Sequence, residues 1–364
     1  MISNILFVST LNRNSRELGG QEIFIKKLIR ILKSEGYGFY VASPASLYSN
    51  GDDALESGCE FFINPKKLFF FNTLFQLKKI VKKKNISLIH SNDCYSNFLA
   101  FWLKLISGGA LKTAAIIHDD YYSNDSPLFL KFKKKFYYLT DKLILSFFDS
   151  NLFYSDYLLK KLSFKKSIFL SPGIDFFSED APLNLPAKTA EKLKIGWVGR
   201  PDFFKKGFDV FSNAAKKLIP ENSFEFHIAG FCNPVLIKNY LDIRDKNIFF
   251  HGYIKNINVF FKKIDVLVIP SRYEGLCLVF LEAAAHKIPL IYSDIPVFVH
   301  IAKTLGYPLP PAKTGDADDF IKGIKNIRFN DTKELNEIPE RIRGLYSFEI
   351  LKNKYLNFIN SIVK

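Results

Sequence analysis

Two carboxylates separated by seven residues, Glu274 and Glu282, lie in the stretch Pro270-Ser-Arg-Tyr-Glu274-Gly-Leu-Cys-Leu-Val-Phe-Leu-Glu282. The apolar run before them, Ile264 to Ile269, has the length of a buried parallel strand. The Leu- and Ala-rich run from Cys277 to Ala285 reads as a packed helix. Glu274 is therefore expected in the turn at the carboxyl end of a strand, and Glu282 inside the helix that follows. Ligands of open α/β sheets bind at that end of the strands. Two acids there, beside Gly275 and a helix amino terminus, suit a polyhydroxylated, phosphorylated molecule. A strand–turn–helix unit can also carry two glutamates and do no chemistry, so the weight rests on three further segments.

The first is Ile195-Gly-Trp-Val-Gly199-Arg200, a strand running into a turn, with Lys206-Gly207 where the next helix begins. Two fixed cations and free amides at a helix start can bind a pyrophosphate; the plain alternative is two cations on a solvated turn. The second is Gly19-Gly20, after the first strand and a polar loop. Paired glycines at a helix start let backbone approach a ligand, or make a simple turn. The third is His118, at the carboxyl end of the apolar run Ala114 to Ile117, with His90 placed alike after Leu88-Ile89. Asp316-Ala-Asp318 has the spacing of a metal–nucleotide motif, but acids just before a helix complement its dipole, and capping is the expected role. No carboxylate or histidine cluster calls for a divalent ion, and no metal or cofactor is expected.

The elements that would position these groups alternate along the whole chain. Strands are expected near 4–9, 38–43, 87–91, 113–117, 151–154 and 167–170, with helices near 20–34, 67–84, 95–107, 127–147 and 156–162. Asp125-Ser126-Pro127 reads as a helix start. After a Pro-rich stretch, strands recur near 194–198, 224–229, 248–251, 264–269 and 289–292. Helices are expected there near 206–218, 233–242, 256–262, 277–286 and 315–328. The pattern is that of parallel α/β architecture. Two doubly wound domains follow: 1–171, then a linker over 172–192, then 193–345, with a last helix over 348–364 expected to return to the first domain. A cleft between two such domains is a preferred place for a pocket.

A chain of 364 residues suits two domains of ~150–180 residues each. Its four cysteines show no metal or disulfide spacing, and a reducing cytoplasm is the expected compartment. No apolar stretch reaches the ~18–20 residues of a spanning helix, and no secretion signal is read at the amino terminus. The formal charge of +15 implies an acidic partner. Positive charge and large apolar residues combine in 66–84 and 127–147, and almost all of that charge is Lys, which disfavours nucleic-acid reading.

Taken in order, these motifs resemble the retaining GT-B glycosyltransferases of family 4. The matching residues are Gly19-Gly20 with Glu22; His118-Asp119; Pro172-Gly173-Ile174-Asp175; Gly199-Arg200 with Lys206-Gly207; Ile228-Ala-Gly230; Phe250-His-Gly252; and Pro270-Ser with Glu274 and Glu282-Ala283. The resemblance implies a carboxy-terminal domain that holds a nucleotide-sugar, expected to be a UDP-sugar. Glu282 would take the ribose hydroxyls, Glu274 the donor sugar, and Arg200 with Lys206 the diphosphate. Main chain from Leu276 through Cys277 and Leu278 to Val279 would add a helix terminus, and main chain near Ile254 would meet the base. Gly19 and Gly20 would approach the phosphates, and His118 would contact the donor sugar. Family members often carry Phe-Gly where this chain has Leu276-Cys277, which puts the local backbone and the donor preference in question.

The implied activity is sugar transfer to a glycan or lipid-linked acceptor, in cell-envelope polysaccharide or lipopolysaccharide synthesis. The basic aromatic segments 66–84 and 127–147 would then rest on an anionic membrane surface, making the protein peripheral on the inner face. Other readings are a nucleotide-sugar epimerase of the same fold, and a non-catalytic basic protein that binds nucleic acid or membrane.

Overall fold

The computed structural model of the chain describes residues 4–10, 20–44, 59–63, 70–118, 138–175, 192–199, 204–230, 237–242, 244–327 and 334–363. Gly19, Asp119, the Asp125-Ser126-Pro127 helix start, Arg200, and parts of 66–84, 127–147 and 172–192 lie outside them. The chain divides into two compact units, Met1–Gly173 with Phe348–Lys364, and Ile174–Ser347.

The first unit is built on seven parallel strands. In chain order they are β1 (Asn4–Val8), β2 (Gly38–Ser43), β3 (Glu60–Phe62), β4 (Ile86–Ser91), β5 (Lys112–Ile117), β6 (Ser150–Phe153) and β7 (Ser167–Phe169). Their order across the sheet is β3-β2-β1-β4-β5-β6-β7, so the direction of winding reverses between β1 and β4. The inner strands β1, β4, β5 and β6 are short, mostly apolar runs buried nearly throughout, as strands covered by helices on both faces are, while the edge strands β3 and β7 are only partly buried. Helices Phe70–Lys83 and Cys94–Ile106 share a buried cluster with Leu6, Val8 and Ile89. On the alternate positions, Phe7 stacks on His90 at 5.0 Å, and the His90 ring lies 5.7 Å from that of Tyr355. Tyr355 belongs to the closing helix Phe348–Val363, which Lys352 also ties to Glu35 at 2.9 Å.

The second unit has five parallel strands: β8 (Leu193–Val198), β9 (Phe224–Ala229), β10 (Ile248–Gly252), β11 (Val266–Ile269) and β12 (Leu290–Tyr292). Their order is β10-β9-β8-β11-β12, and here the winding reverses between β8 and β11. Helices Phe208–Leu218 and Leu278–Ala285 follow β8 and β11 respectively, placing two loops side by side at the switch point.

The two parallel sheets agree with the expected α/β class. Some elements differ from the sequence-based expectation. Strand β3 has three residues, too few to show a period. Helices Pro296–Leu305 and Ile338–Tyr346 are additional, each with a proline in its first turn, where the absent N–H has no intrahelical partner to lose. Residues 237–242, expected to be helical with 233–236, mostly form a turn.

Candidate active site

The loops after β8 and β11 converge on one ion pair. Lys206 Nζ donates to Glu274 Oε1 at 2.6 Å, and Ser271 Oγ donates to the same oxygen at 2.9 Å. Glu274 is 7% exposed. Burial alone would raise its pKa, but the charges of Lys206 and Lys205, with the Lys206 and Ser271 hydrogen bonds, hold it below the usual carboxylate range. The site therefore keeps a buried anion ionised by surrounding it with fixed donors. An ammonium has three N–H donors, so Lys206 can bond Glu274 and still reach a second anion.

Local chain geometry explains the convergence. Gly207 closes the turn at φ +62°, and a Cβ there would fall 1.9 Å from the Pro270 carbonyl oxygen. Only glycine permits so close an approach to the end of β11. Arg272 then clasps the turn from the other side. Its guanidinium donates to both Asp209 oxygens at 2.7 and 2.6 Å and to the Phe204 carbonyl at 2.9 Å, while lying 4.5 Å over the Phe204 ring. Its backbone N–H donates to the Lys205 carbonyl at 2.9 Å. On the inner side the Trp197 indole N–H reaches the Lys206 carbonyl at 3.3 Å. The turn is thus held at three points, and the lysine it carries is directed by them.

Arg272 and Asp209 are the residues sequence reasoning passed over, and Ser271 entered it only as part of a motif, with no role of its own. Asp209 looks like a first-turn acid complementing a helix dipole. Arg272 sits two residues before Glu274 in the motif stretch and reads there as an ordinary surface cation. Their fork-like pairing is a tertiary contact with no local signature.

Cys277 precedes helix Leu278–Ala285 with φ +70° and ψ 86°. That left-handed conformation is the one glycine adopts most readily. The backbone thus keeps a glycine-like turn despite the cysteine. Leu276 is buried beside it, and Leu278 and Val279 open the helix half-buried. Glu282 lies one turn further on, half-buried, its carbonyl meeting His286 Nδ1 at 2.8 Å. Ile254 is half-buried just after β10.

The remaining sequence-singled residues belong to the first unit. Gly20 opens helix Gly20–Ser34. His118 follows β5, 1% exposed, with Phe24 of that helix 5.8 Å away edge-on and Tyr154 at 5.2 Å. His90 is fully buried and hydrogen-bonded through Nε2 to the Tyr355 hydroxyl at 3.0 Å, a packed side chain of the core. Asp316 caps helix Ala317–Asn326, accepting from the backbone N–H groups of Asp318 and Asp319. Among the described residues no group of three or more His, Cys, Asp and Glu could hold a metal ion.

Comparison with known proteins gives this arrangement a family. Residues 192–328 match the family described as glycosyl transferases group 1, and residues 18–164 match glycosyltransferase family 4. The O-antigen biosynthesis glycosyltransferase WbnH of Escherichia coli is 25% identical over 98% of this chain and 99% of its own length. The capsular polysaccharide biosynthesis glycosyltransferase CapH of Staphylococcus aureus is 24% identical over 96% of this chain and 100% of its own. The crystal structure of Anabaena HepE in complex with UDP-glucose superposes with a TM-score of 0.73 at 12% identity, covering 98% of this chain and 99% of that one. The chain belongs to the group 1, family 4 glycosyltransferases and has their GT-B fold of two parallel α/β units.

Proposed function

We infer that the protein transfers a sugar from a UDP-sugar to a glycan or lipid-linked acceptor of the cell envelope, retaining anomeric configuration. The observation that carries this reading is the Lys206–Glu274 pair at the switch point of the second sheet. The UDP-glucose bound to HepE supports the class of donor, and the names of WbnH and CapH support the class of acceptor.

In this reading Glu282 accepts hydrogen bonds from the ribose diol, and Glu274 meets hydroxyls of the donor sugar. Lys206 and Arg200 carry the diphosphate, assisted by main chain from Leu276 to Val279. Ile254 lies toward the base. Gly19, Gly20 and His118 serve the phosphates and the donor sugar from the first unit. The bond from the anomeric carbon to the phosphate oxygen breaks, and its electron pair leaves with the diphosphate. The acceptor oxygen bonds the same carbon from the same face, and its proton passes to the departing phosphate.

The barrier lies in separating an oxocarbenium-like sugar from an anion. Preorganised cations whose grip strengthens as that anion develops lower it without any nucleophilic side chain. Because Lys206 and Arg200 supply the charge, no metal is required, and turnover should persist in a strong chelator.

The test is direct. The protein is incubated with a panel of UDP-sugars and oligosaccharide or polyprenyl-linked acceptors, and the product linkage is read by NMR. Transfer with retention supports the reading. An isomerised donor with no transfer to any acceptor would instead make the protein an epimerase.

A further inference from the structure

Three neighbouring helices of the first unit turn apolar side chains outward. Helix Phe70–Lys83 exposes Phe71 and Phe75, 82% and 58% accessible. On helix Cys94–Ile106 the exposed residues Phe98, Trp102, Leu105 and Ile106 recur at helical spacing and form one stripe. Leu139, Leu143 and Phe147 continue the pattern over 138–147. The three stripes are contiguous. The Phe70 and Phe98 rings lie 5.2 Å apart, Phe98 and Trp102 6.2 Å, and Phe101 and Phe147 5.5 Å. The middle helix, which the sequence reading left out of its membrane segments, joins the other two. Of seventeen large apolar side chains exposed among the described residues, nine lie here, which makes this a patch rather than scatter.

The charge around the patch has one sign. Lys78, Lys79, Lys82 and Lys83 are exposed on the first helix and Lys142 near the third, with Lys79 Nζ 4.8 Å over the Phe75 ring. The only acid on the described parts of the three helices is Asp141, which is buried. Asp149, just beyond, is paired with Lys104 at 2.5 Å.

We propose that this face lies on an anionic lipid bilayer, its ring and aliphatic tips at the acyl boundary and its lysines among the headgroups. A second copy docked by two-fold symmetry would set the lysine array against itself, with no exposed acid on the described parts of these helices to offset the repulsion. A nucleic-acid strand favours stacking rings and Arg forks over Leu and Ile tips. Among the described residues no helix is long and apolar enough to cross a membrane, so the face rests on the surface. The proposal stands independently of the transfer chemistry.

The chain has two tryptophans, Trp102 in the patch and Trp197, which is 1% exposed in the other unit. Trp102 emission therefore reports on the face alone. The full chain is mixed with phosphatidylcholine vesicles, and with vesicles of equal parts phosphatidylcholine and phosphatidylglycerol. The expected result is a blue shift with the anionic vesicles only, quenched by brominated acyl chains and reversed as salt rises. Trp102→Phe should abolish the optical change while the protein still co-sediments. Replacing Lys78, Lys79, Lys82 and Lys83 by Gln should lower partitioning by about 600-fold if all four reach the headgroups, at roughly fivefold for each lysine. Three outcomes overturn the proposal: no partitioning into anionic vesicles at low salt, partitioning that leaves Trp102 open to acrylamide, or a blue shift that appears with protein concentration in the absence of lipid.

Discussion

The Lys206 ammonium and the Glu274 carboxylate meet at 2.6 Å with their side chains 22% and 6% exposed, joining residues 68 apart in the chain. A pair this withdrawn from water has two consequences. Each charge offsets the other in the resting fold, and removing Lys206 alone leaves the buried Glu274 with only the Ser271 hydrogen bond and the charge of Lys205. Lys206 is consequently both a structural counterion and the proposed grip on the departing diphosphate, and the two roles can be separated.

Lys206→Ala leaves Glu274 buried without its cation, so the variant should lose about 3–5 kcal/mol of stability and on the order of 10²–10³ in turnover. Lys206→Ala combined with Glu274→Gln removes the stranded charge. Its melting temperature should recover toward the parent while its transfer rate stays low. Thermal denaturation and initial rates on Lys206→Ala, Glu274→Gln and the double variant decide the matter: if the double variant is no slower than Glu274→Gln alone, Lys206 is a counterion only.

The Arg272–Asp209 fork should behave as a positioning device. Arg272→Lys retains the charge but cannot make two parallel bonds while also reaching the Phe204 carbonyl. The turn carrying Lys206 then loosens by a fraction of an ångström. The expected cost is on the order of tenfold in kcat, with donor KM changed much less. Asp209 adds a pH signature. Burial opposes its ionisation, but the hydrogen bonds and charge of Arg272 outweigh burial and hold its pKa below the ordinary value. Its stabilising contribution is present above the unfolded-state pKa and is lost as pH falls through the folded one. The kcat profile of the parent should therefore carry an acid limb that Asp209→Asn removes.

The alternation of strands and helices was legible because the inner strands of these sheets are largely apolar runs buried on both faces, bounded by polar turns. Where that signal fails, a physical cause is visible: β3 is too short for a period, and Pro296 and Pro339 stand in the first turns of helices while reading as breaks. At the candidate site, Lys206 and Glu274 were each visible as part of a local motif. Their meeting was not, since it depends on β8 and β11 being neighbours at the switch point. Arg272 and Asp209, 63 residues apart, carry no local sign of their pairing.

Cys277 offers a test of backbone strain at the helix start. At φ +70° a side chain is strained by roughly 1–3 kcal/mol, while glycine forfeits about 0.4–1 kcal/mol through its looser unfolded chain. Cys277→Gly should therefore be at least as stable as the parent, and more so by up to about 2.6 kcal/mol before the lost burial of its thiol is counted. Cys277→Val, β-branched at the same φ, should be markedly less stable in urea denaturation. The thiol itself should be inert: burial and the Glu274 charge push its pKa up to about 12. Maleimide at neutral pH should label Cys277 only after unfolding, as peptide mapping would show, and rapid labelling of the folded protein would contradict this environment.

His90 sets an acid limit for the first unit. Its ring is fully buried between Phe7 and the closing helix, hydrogen-bonded to Tyr355, and burial pulls its pKa down to about 3. The unfolded chain takes a proton near 6.5, the folded one only near 3. The stabilisation from keeping His90 neutral is complete above pH 6.5 and is lost progressively as pH falls toward 3, at about 1.4 kcal/mol per pH unit. Hydrogen exchange of the β4 amides reads this in the first unit, apart from His227, which titrates in the second. Opening free energies there should fall with acid below pH 6.5, and His90→Phe should flatten the slope by about one proton. That variant strands the Tyr355 hydroxyl at a cost of about 1–3 kcal/mol, which adding Tyr355→Phe should largely restore. An unchanged slope in His90→Phe would mean that other groups govern the acid sensitivity of this sheet.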